Sequence, residues 1–398
     1  VRSTDKPIRV LVVDDSAFMR KAIANMLGES SDFVVIDTAR NGDEALAKVA
    51  TLKPDVMTLD IDMPGMDGLT VLKRVMAAHP LPVVIVSSLT EDGAQVTIRA
   101  LELGAVDFVS KHLGGSALKI SAIRVLLQQK VRAAAKAIGK VGRPSSEVQH
   151  VSKPLTSIHT HAPQTSFSAS PTNSLASPVQ TFSRRAYHEA SGLSPLLALG
   201  CSTGGPQALQ QVLTQLPSDF PGAVIVVQHM PKFFTKSFAE RLNQLCALEV
   251  REAEEGDEVT PGTILLGPGG QHLTLERRGT KVMTHVSDQP VHLPYRPSVD
   301  LMMQSAAKIF EQKVLGVVMT GMGQDGLEGA RAIKVHGGTV LAQDEASSIV
   351  YGMPKAVEES GCADKVVSLS RMAHEIQSVM ALKDSMSSRE ALLVRASI

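Results

Sequence analysis

Between residues 8 and 130, short runs of consecutive apolar residues alternate with amphipathic stretches, and this alternation restricts the fold more than any other feature of the chain. "IRVLVV", "DVMTLD", "PVVIVSS" and "AVDFVSK" have the β-branched, unbroken apolar character of strands covered on both faces. "AFMRKAIANML", "GDEALAKVATL", "LTVLKRVMAA" and "GAQVTIRALEL" lie between them with apolar residues at helical spacing. Strand and helix in regular alternation predict an open, doubly wound, mostly parallel α/β sheet. In such sheets ligands bind beyond the carboxyl ends of the strands.

The alternation stops near Arg143 and resumes at Pro195. The tract between is dominated by Pro, Ser, Thr, Gln and His without either period, and buries too little apolar surface to offset its ordering entropy. It reads as a flexible linker, with His150, His159, His161 and the Arg184–Arg185 pair as solvated linker residues rather than ligands. At 398 residues the chain is long for one core, so two α/β domains are expected. The division is 1–130, a helix end and linker over 131–192, a second domain over 193–385, and a tail over 386–398. Neither half contains an internal repeat.

Forty basic residues balance forty acidic ones, which leaves no bulk attraction to nucleic acid or to an anionic membrane. The second half also lacks a basic recognition helix, so a DNA-binding output is poorly supported. Three scattered cysteines suit a reduced compartment and exclude a disulfide framework. No apolar run is long enough for membrane insertion, and the opening "VRSTDKPIRVLVV" lacks the pattern of a secretory leader. A cytoplasmic location is expected.

At the strand ends of the first half stand Asp14 and Asp15, Asp60, Ser87 and Ser88, and Lys111. Any one Asp there is most simply a cap or a turn residue. Three carboxylates converging on one crevice, however, repel one another unless a hard cation such as Mg²⁺ is shared. A lysine and a hydroxyl beside them can hold the oxygens of a phosphoryl group on one carboxylate. Through "VVDDS", "LDIDMPGMDG", "IVSS" and "DFVSK", residues 8–130 resemble the response-regulator receiver family. The resemblance implies that Asp60 is phosphorylated, and that Asp14 and Asp15 organise Mg²⁺ with Asp60 and the backbone carbonyl of Asp62. It also implies that Ser87 and Lys111 contact the phosphoryl group and that Phe108 is the switch aromatic. The receiver pattern has proline after the lysine, where this chain has His112.

In the second half, "PLLALGCSTGGPQAL" reads as strand, glycine turn and helix, with Gly200, Ser202 and Gly204 matching G-x-S-x-G. "AVIVVQHM" is a strand ending at His229, and "VLGVVMTGMGQDGLEGARAIK" is strand, turn and helix with Asp325 in the turn. One crevice could therefore collect a serine, a base that accepts its proton, and a carboxylate that orients the base. Each has a plainer reading: a structural serine in a glycine turn, a bonded histidine at a strand end. Cys201 is intrinsically the better nucleophile, but isolated cysteines are mostly buried and inert.

A rival is more specific. "GMGQDG" satisfies G-x-G-x-x-G, and Asp344 and Glu345 follow where a ribose-binding acid belongs. That makes a dinucleotide-binding oxidoreductase the first alternative. A receiver-controlled binding module without catalysis is the second. Residues 194–382 are similar to the chemotaxis protein-glutamate methylesterases, the CheB family, through "ALGCSTGGPQAL", "VVQHMP", "LLGPGGQHL", "YRPSVDLM", "VVMTGMGQDG" and "QDEASSIVYGMPKA". The resemblance implies Ser202 as nucleophile, His229 as base and Asp325 as its partner, with Thr203 and Met322 beside them and Met322 giving an oxyanion-facing amide. It implies a hydrolase without a cofactor of its own. That hydrolase demethylates glutamate esters on chemoreceptors, deamidates receptor glutamines, and takes phosphate on its receiver from the histidine kinase CheA.

Overall fold

A computed structural model of the chain describes residues 6–88, 90–111, 117–137 and 193–396, with the backbone alone for 117–120 and 387–396. The tract 138–192, with His150, His159, His161, Arg184 and Arg185, lies outside the described residues, as does His112.

In the first half, strands β1 (Ile8–Val13), β2 (Phe33–Ala39), β3 (Val56–Asp60), β4 (Val83–Ser87) and β5 (Asp107–Ser110) alternate with five helices. These are α1 (Ala17–Gly28), α2 (Gly42–Leu52), α3 (Gly68–Ala78), α4 (Glu91–Glu102) and α5 (Ala117–Lys136). All strand pairs are parallel, in the order β2-β1-β3-β4-β5. β3 and β4 are buried along their whole length, which is why they read as unbroken apolar runs. Ser16, Asn41, Asp67 and Thr90 each accept a backbone N–H at the start of α1 to α4, caps worth about 1 kcal/mol apiece. The order reverses on either side of β1, so the crevice opens where Asp14 follows β1 and Asp60 ends β3.

The second half contains β6 (Leu196–Cys201), α6 (Gly205–Leu213), β7 (Ala223–Gln228), α7 (Phe234–Asn243), β8 (Glu249–Glu252) and β9 (Thr263–Leu266). A hairpin of β10 (His272–Arg278) and β11 (Lys281–Ser287) follows, then α8 (Val299–Phe310), β12 (Val314–Val318), α9 (Leu327–Val335) and β13 (Thr339–Gln343). The last elements are α10 (Met353–Glu359), β14 (Lys365–Val367) and α11 (Leu369–Ala396), which runs across position 385. Seven strands form a parallel sheet in the order β14-β13-β12-β6-β7-β9-β8. Leu209, Phe234 and Ile376 belong to the apolar layer on one face, and Met302, Ile333 and the hairpin's Leu273 to the layer on the other.

The antiparallel hairpin departs from the expected alternation. Its signal is a period of two, with Leu273 and Leu275 buried and Thr274 and Glu276 half-buried, followed by a turn through Gly279.

Candidate active site

β12, β6 and β7 are neighbours in that order, so their carboxyl ends open on one crevice. The strand order also reverses here, because β7 lies on one side of β6 and β12 on the other. Ser202 follows β6 directly, His229 follows β7, and Asp325 lies in the turn between β12 and α9. The serine turn depends on Gly204, which has φ +78° and where a Cβ would fall 2.6 Å from Ile349 Cβ. The Ser202 N–H donates to the Thr320 carbonyl at 3.0 Å. Gly321 packs so tightly that a Cβ on it would lie 2.8 Å from Ser202 Cβ. Met322 is the next residue of that turn.

His229 Nε2 is 2.8 Å from Asp325 Oδ2, while Nδ1 is buried and has no hydrogen-bond partner among the described residues. An ionised carboxylate can only accept, so Nε2 carries the proton and Nδ1 presents the lone pair. The imidazole stacks on Tyr295 with centroids 4.3 Å apart. Asp325 also caps α8: its carboxylate accepts from the Ser298 hydroxyl at 3.0 Å and from the N–H groups of Val299 at 2.7 Å and Asp300 at 3.0 Å. Burial on its own raises this carboxyl, but the hydrogen bond from His229, the charge that ring carries once protonated, and the helix amides outweigh it and hold Asp325 at about 2.

Asp300 returns the cap. Its Oδ1 accepts from the N–H groups of Gly326 and Gly329, each at 2.8 Å, at the start of α9. Burial, opposed by the Gly329 amide and reinforced by the Asp325 charge, pushes Asp300 up to about 6. Two amides at the start of α9, where a pyrophosphate would sit after the "GMGQDG" turn, are therefore taken by a carboxylate of the chain itself, which counts against the dinucleotide alternative. Cys201 is fully buried, which pushes its thiol far above the ordinary range and leaves it inert as a nucleophile.

In the first half, one carboxylate oxygen from each of Asp14, Asp15 and Asp60 lies within 4.8 Å of the others. The Lys111 ammonium is 3.0 Å from Asp14 and 2.5 Å from Asp60. Burial is the largest influence on Asp60; the Lys111 bond opposes it, the Asp14 charge adds to it, and the carboxyl stands at about 6. The Asp62 N–H donates to Asp60 at 3.2 Å, and the Ser87 hydroxyl donates to the Gly93 carbonyl at 3.3 Å. A hard-oxygen donor set that is short of positive charge fits Mg²⁺.

Residues 197–376 match the CheB methylesterase family and residues 10–123 the response regulator receiver domain. The chain is 43% identical over 375 residues to protein-glutamate methylesterase/protein-glutamine glutaminase 1 of Oleidesulfovibrio alaskensis, covering 94% of this chain and 99% of that one. The chain belongs to the CheB methylesterase family. A Vibrio cholerae relative of the same description is 43% identical and covers 93% of this chain and 98% of its own. The crystal structure of the Thermotoga maritima CheB methylesterase catalytic domain is 41% identical, covering 47% of this chain and 98% of that one with a TM-score of 0.46.

The receiver and the methylesterase half meet beside the serine turn. The Thr203 hydroxyl donates to Asp107 of β5 at 2.5 Å, and Lys130 holds the other oxygen of that carboxylate at 2.7 Å. Phe108, the expected switch aromatic, stacks on Phe234 of α7 with centroids 4.3 Å apart. Gln207 donates to the Leu101 and Ala105 carbonyls, and Arg241 pairs with Glu102 at 2.6 Å. His229 and Asp325 thus meet directly, as do Asp14, Asp15, Asp60 and Lys111, while strand order puts Ser202 and the Met322 turn at the same sheet end as His229 and Asp325, and Thr203 lies between the two halves. Ser298, Asp300, Tyr295 and Gln228 were not foreseen. Only the first two left a local signal, a Ser N-cap followed by an acid in the first turn.

Proposed function

We propose that this chain is a phosphorylation-controlled serine hydrolase that demethylates glutamate methyl esters on chemoreceptors, releases methanol, and deamidates receptor glutamines. The observation that carries the reading is the 2.8 Å contact of His229 with Asp325 at the end of the strand beside Ser202, with Nδ1 left as acceptor. Nδ1 takes the Ser202 proton as the hydroxyl oxygen attacks the ester carbonyl, and Asp325 stabilises the imidazolium. The Thr320 and Gly321 amides are already bonded to Gln343 and to the Val350 carbonyl, so the amide of this turn that faces the oxyanion is that of Met322. The imidazolium then gives its proton to the departing methoxide, and water repeats the sequence on the acyl-serine to return glutamate. With an amide substrate the leaving group is ammonia.

Receiver domains are phosphorylated with Mg²⁺. Here Asp14, Asp15 and Asp60, with the Asp62 carbonyl, would hold the ion, which supplies positive charge beside the incoming phosphoryl group. Asp60 accepts the phosphoryl group from a histidine kinase of the CheA kind, and Ser87 and Lys111 hold its oxygens. The resulting shift around Phe108 loosens the stacking on Phe234 and frees Thr203 from Asp107, opening the serine turn to a receptor helix. The working division is a receiver over 1–130, a helix end and linker over 131–192, a methylesterase domain over 193–385 and a tail over 386–398, acting in the cytoplasm; no described helix is long and apolar enough to cross a membrane. The hydrolase half needs no cofactor in this scheme.

Methanol release from methylated receptor membranes tests the reading. Ser202→Ala should abolish release and Cys201→Ala should retain most of it; the reverse pattern would move the nucleophile to the thiol.

A further inference from the structure

Gln228 is the last residue of β7, stands directly before His229, and is 2% exposed. The reaction described above makes no use of it. Its Nε2 donates to the carbonyl of Ser202 at 3.0 Å and to that of His229 at 3.3 Å. Its Oε1 accepts from the Cys201 thiol at 3.1 Å. Carbonyls can only accept and the thiol is the available donor, so the chemistry of the partners dictates which way the amide faces.

The place of these bonds gives them their meaning. The ladder between β6 and β7 ends at the pair Cys201 and Gln228. Past it, the His229 N–H donates to the Cys201 carbonyl at 3.2 Å, and the Gln228 amide makes the next connection between the two chain segments. The fold also reserves space for that amide. A Cβ on Gly205 would fall 2.0 Å from Gln228 Oε1, although Gly205 sits in the first turn of α6 with no left-handed φ to require glycine. The second glycine of "STGG" is therefore room for a side chain from the neighbouring strand.

We propose that Gln228 is a positioning residue for the esterase, a buried amide that sets the separation of the Ser202 hydroxyl and the His229 imidazole by holding the backbone of both. The inference rests on the reading of those two residues as nucleophile and base. Misplacement of reacting groups by about 1 Å can cost roughly a hundredfold in rate, so a modest relaxation here has a large kinetic effect.

The test uses the full chain with a phosphodonor and Mg²⁺, reading kcat and KM for methanol release alongside thermal unfolding. Gln228→Met keeps the shape without the polar groups and should lower kcat about ten- to a hundredfold with KM within about twofold. Gly205→Ala should lower kcat similarly, yet its effect should shrink well below that loss in a Gln228→Ala background, where the new methyl group meets only the Cys201 sulfur at 3.0 Å. Gln228→Glu replaces the donor by a carboxylate facing two carbonyls; protonation restores one donor, so its kcat relative to wild type should rise as pH falls from 8 to 6. An undiminished kcat in Gln228→Met, additive losses in the cycle, or a flat ratio for Gln228→Glu would each overturn the proposal. Ser202→Ala and His229→Ala run beside them separate the two failures: turnover surviving in those variants overturns the site itself, not merely its strut.

Discussion

The receiver and the methylesterase half place their sites alike, at the carboxyl ends of parallel strands where the strand order reverses. The buried carboxylates in those sites nevertheless behave in opposite ways. Asp60 has one ammonium and one backbone N–H beside it and shares its crevice with Asp14, and it rises to about 6. Asp325 is also buried, but it receives a hydroxyl, two helix amides and an imidazole, and it falls to about 2. Burial alone does not fix the charge of an acid; the donors assembled around it do. The first arrangement leaves a carboxylate that gains from added positive charge, as a phospho-acceptor with a divalent cation requires. The second leaves a permanent anion, as a partner for a histidine base requires.

Changes to Asp325 and Asp300 break this comparison at two strengths. Asp325→Asn keeps one acceptor oxygen at the start of α8, turns an NH2 donor toward the partners of the other, and removes the charge facing His229. Methanol release should fall by roughly 10²–10⁴ with KM little changed, as steady-state kinetics on receptor membranes would reveal; wild-type turnover would remove Asp325 from the triad.

Asp300→Asn should act on stability. An acid whose folded value of about 6 exceeds an unfolded value of about 3.9 binds more protons when native, so wild-type stability falls as pH rises through that window. The asparagine still accepts from Gly326 and Gly329. Its stability relative to wild type should climb by about 1–3 kcal/mol between pH 4 and pH 6 in urea unfolding. A constant difference across that range would show that burial and the Asp325 charge do not raise Asp300.

Most of the architecture was legible in the sequence because strands buried on both faces, such as "VMTLD" and "AVIVVQ", cannot hide their composition. The β10–β11 hairpin was less visible because it is half-buried, alternates rather than running unbroken, and packs on a face of the sheet rather than in it. Ser202, His229 and Asp325 were legible because each follows a strand. The ambiguity at "GMGQDG" was real: a phosphate cradle and this aspartate turn both need a strand, glycines and a helix start. What separates them is Asp300, which takes the Gly326 and Gly329 amides from a helix 26 residues upstream of Gly326. No local spacing encodes that contact. Gln228 was invisible for the same reason, since its partners Cys201 and Ser202 come from another strand.

In the proposed function the receiver, docked through Asp107 and Phe108 against Thr203 and Phe234, restrains a site it does not itself contain. Methanol release from methylated receptor membranes measures this directly for three proteins without and with a phosphodonor and Mg²⁺: the full chain, Asp60→Asn, and residues 193–398. A tenfold restraint corresponds to only about 1.4 kcal/mol of docking preference. The full chain should show a low basal rate that rises with the donor, Asp60→Asn a low and unresponsive rate, and 193–398 a high, donor-independent rate. Equal basal rates for the full chain and for a folded 193–398, or a donor response surviving in Asp60→Asn, would contradict that restraint.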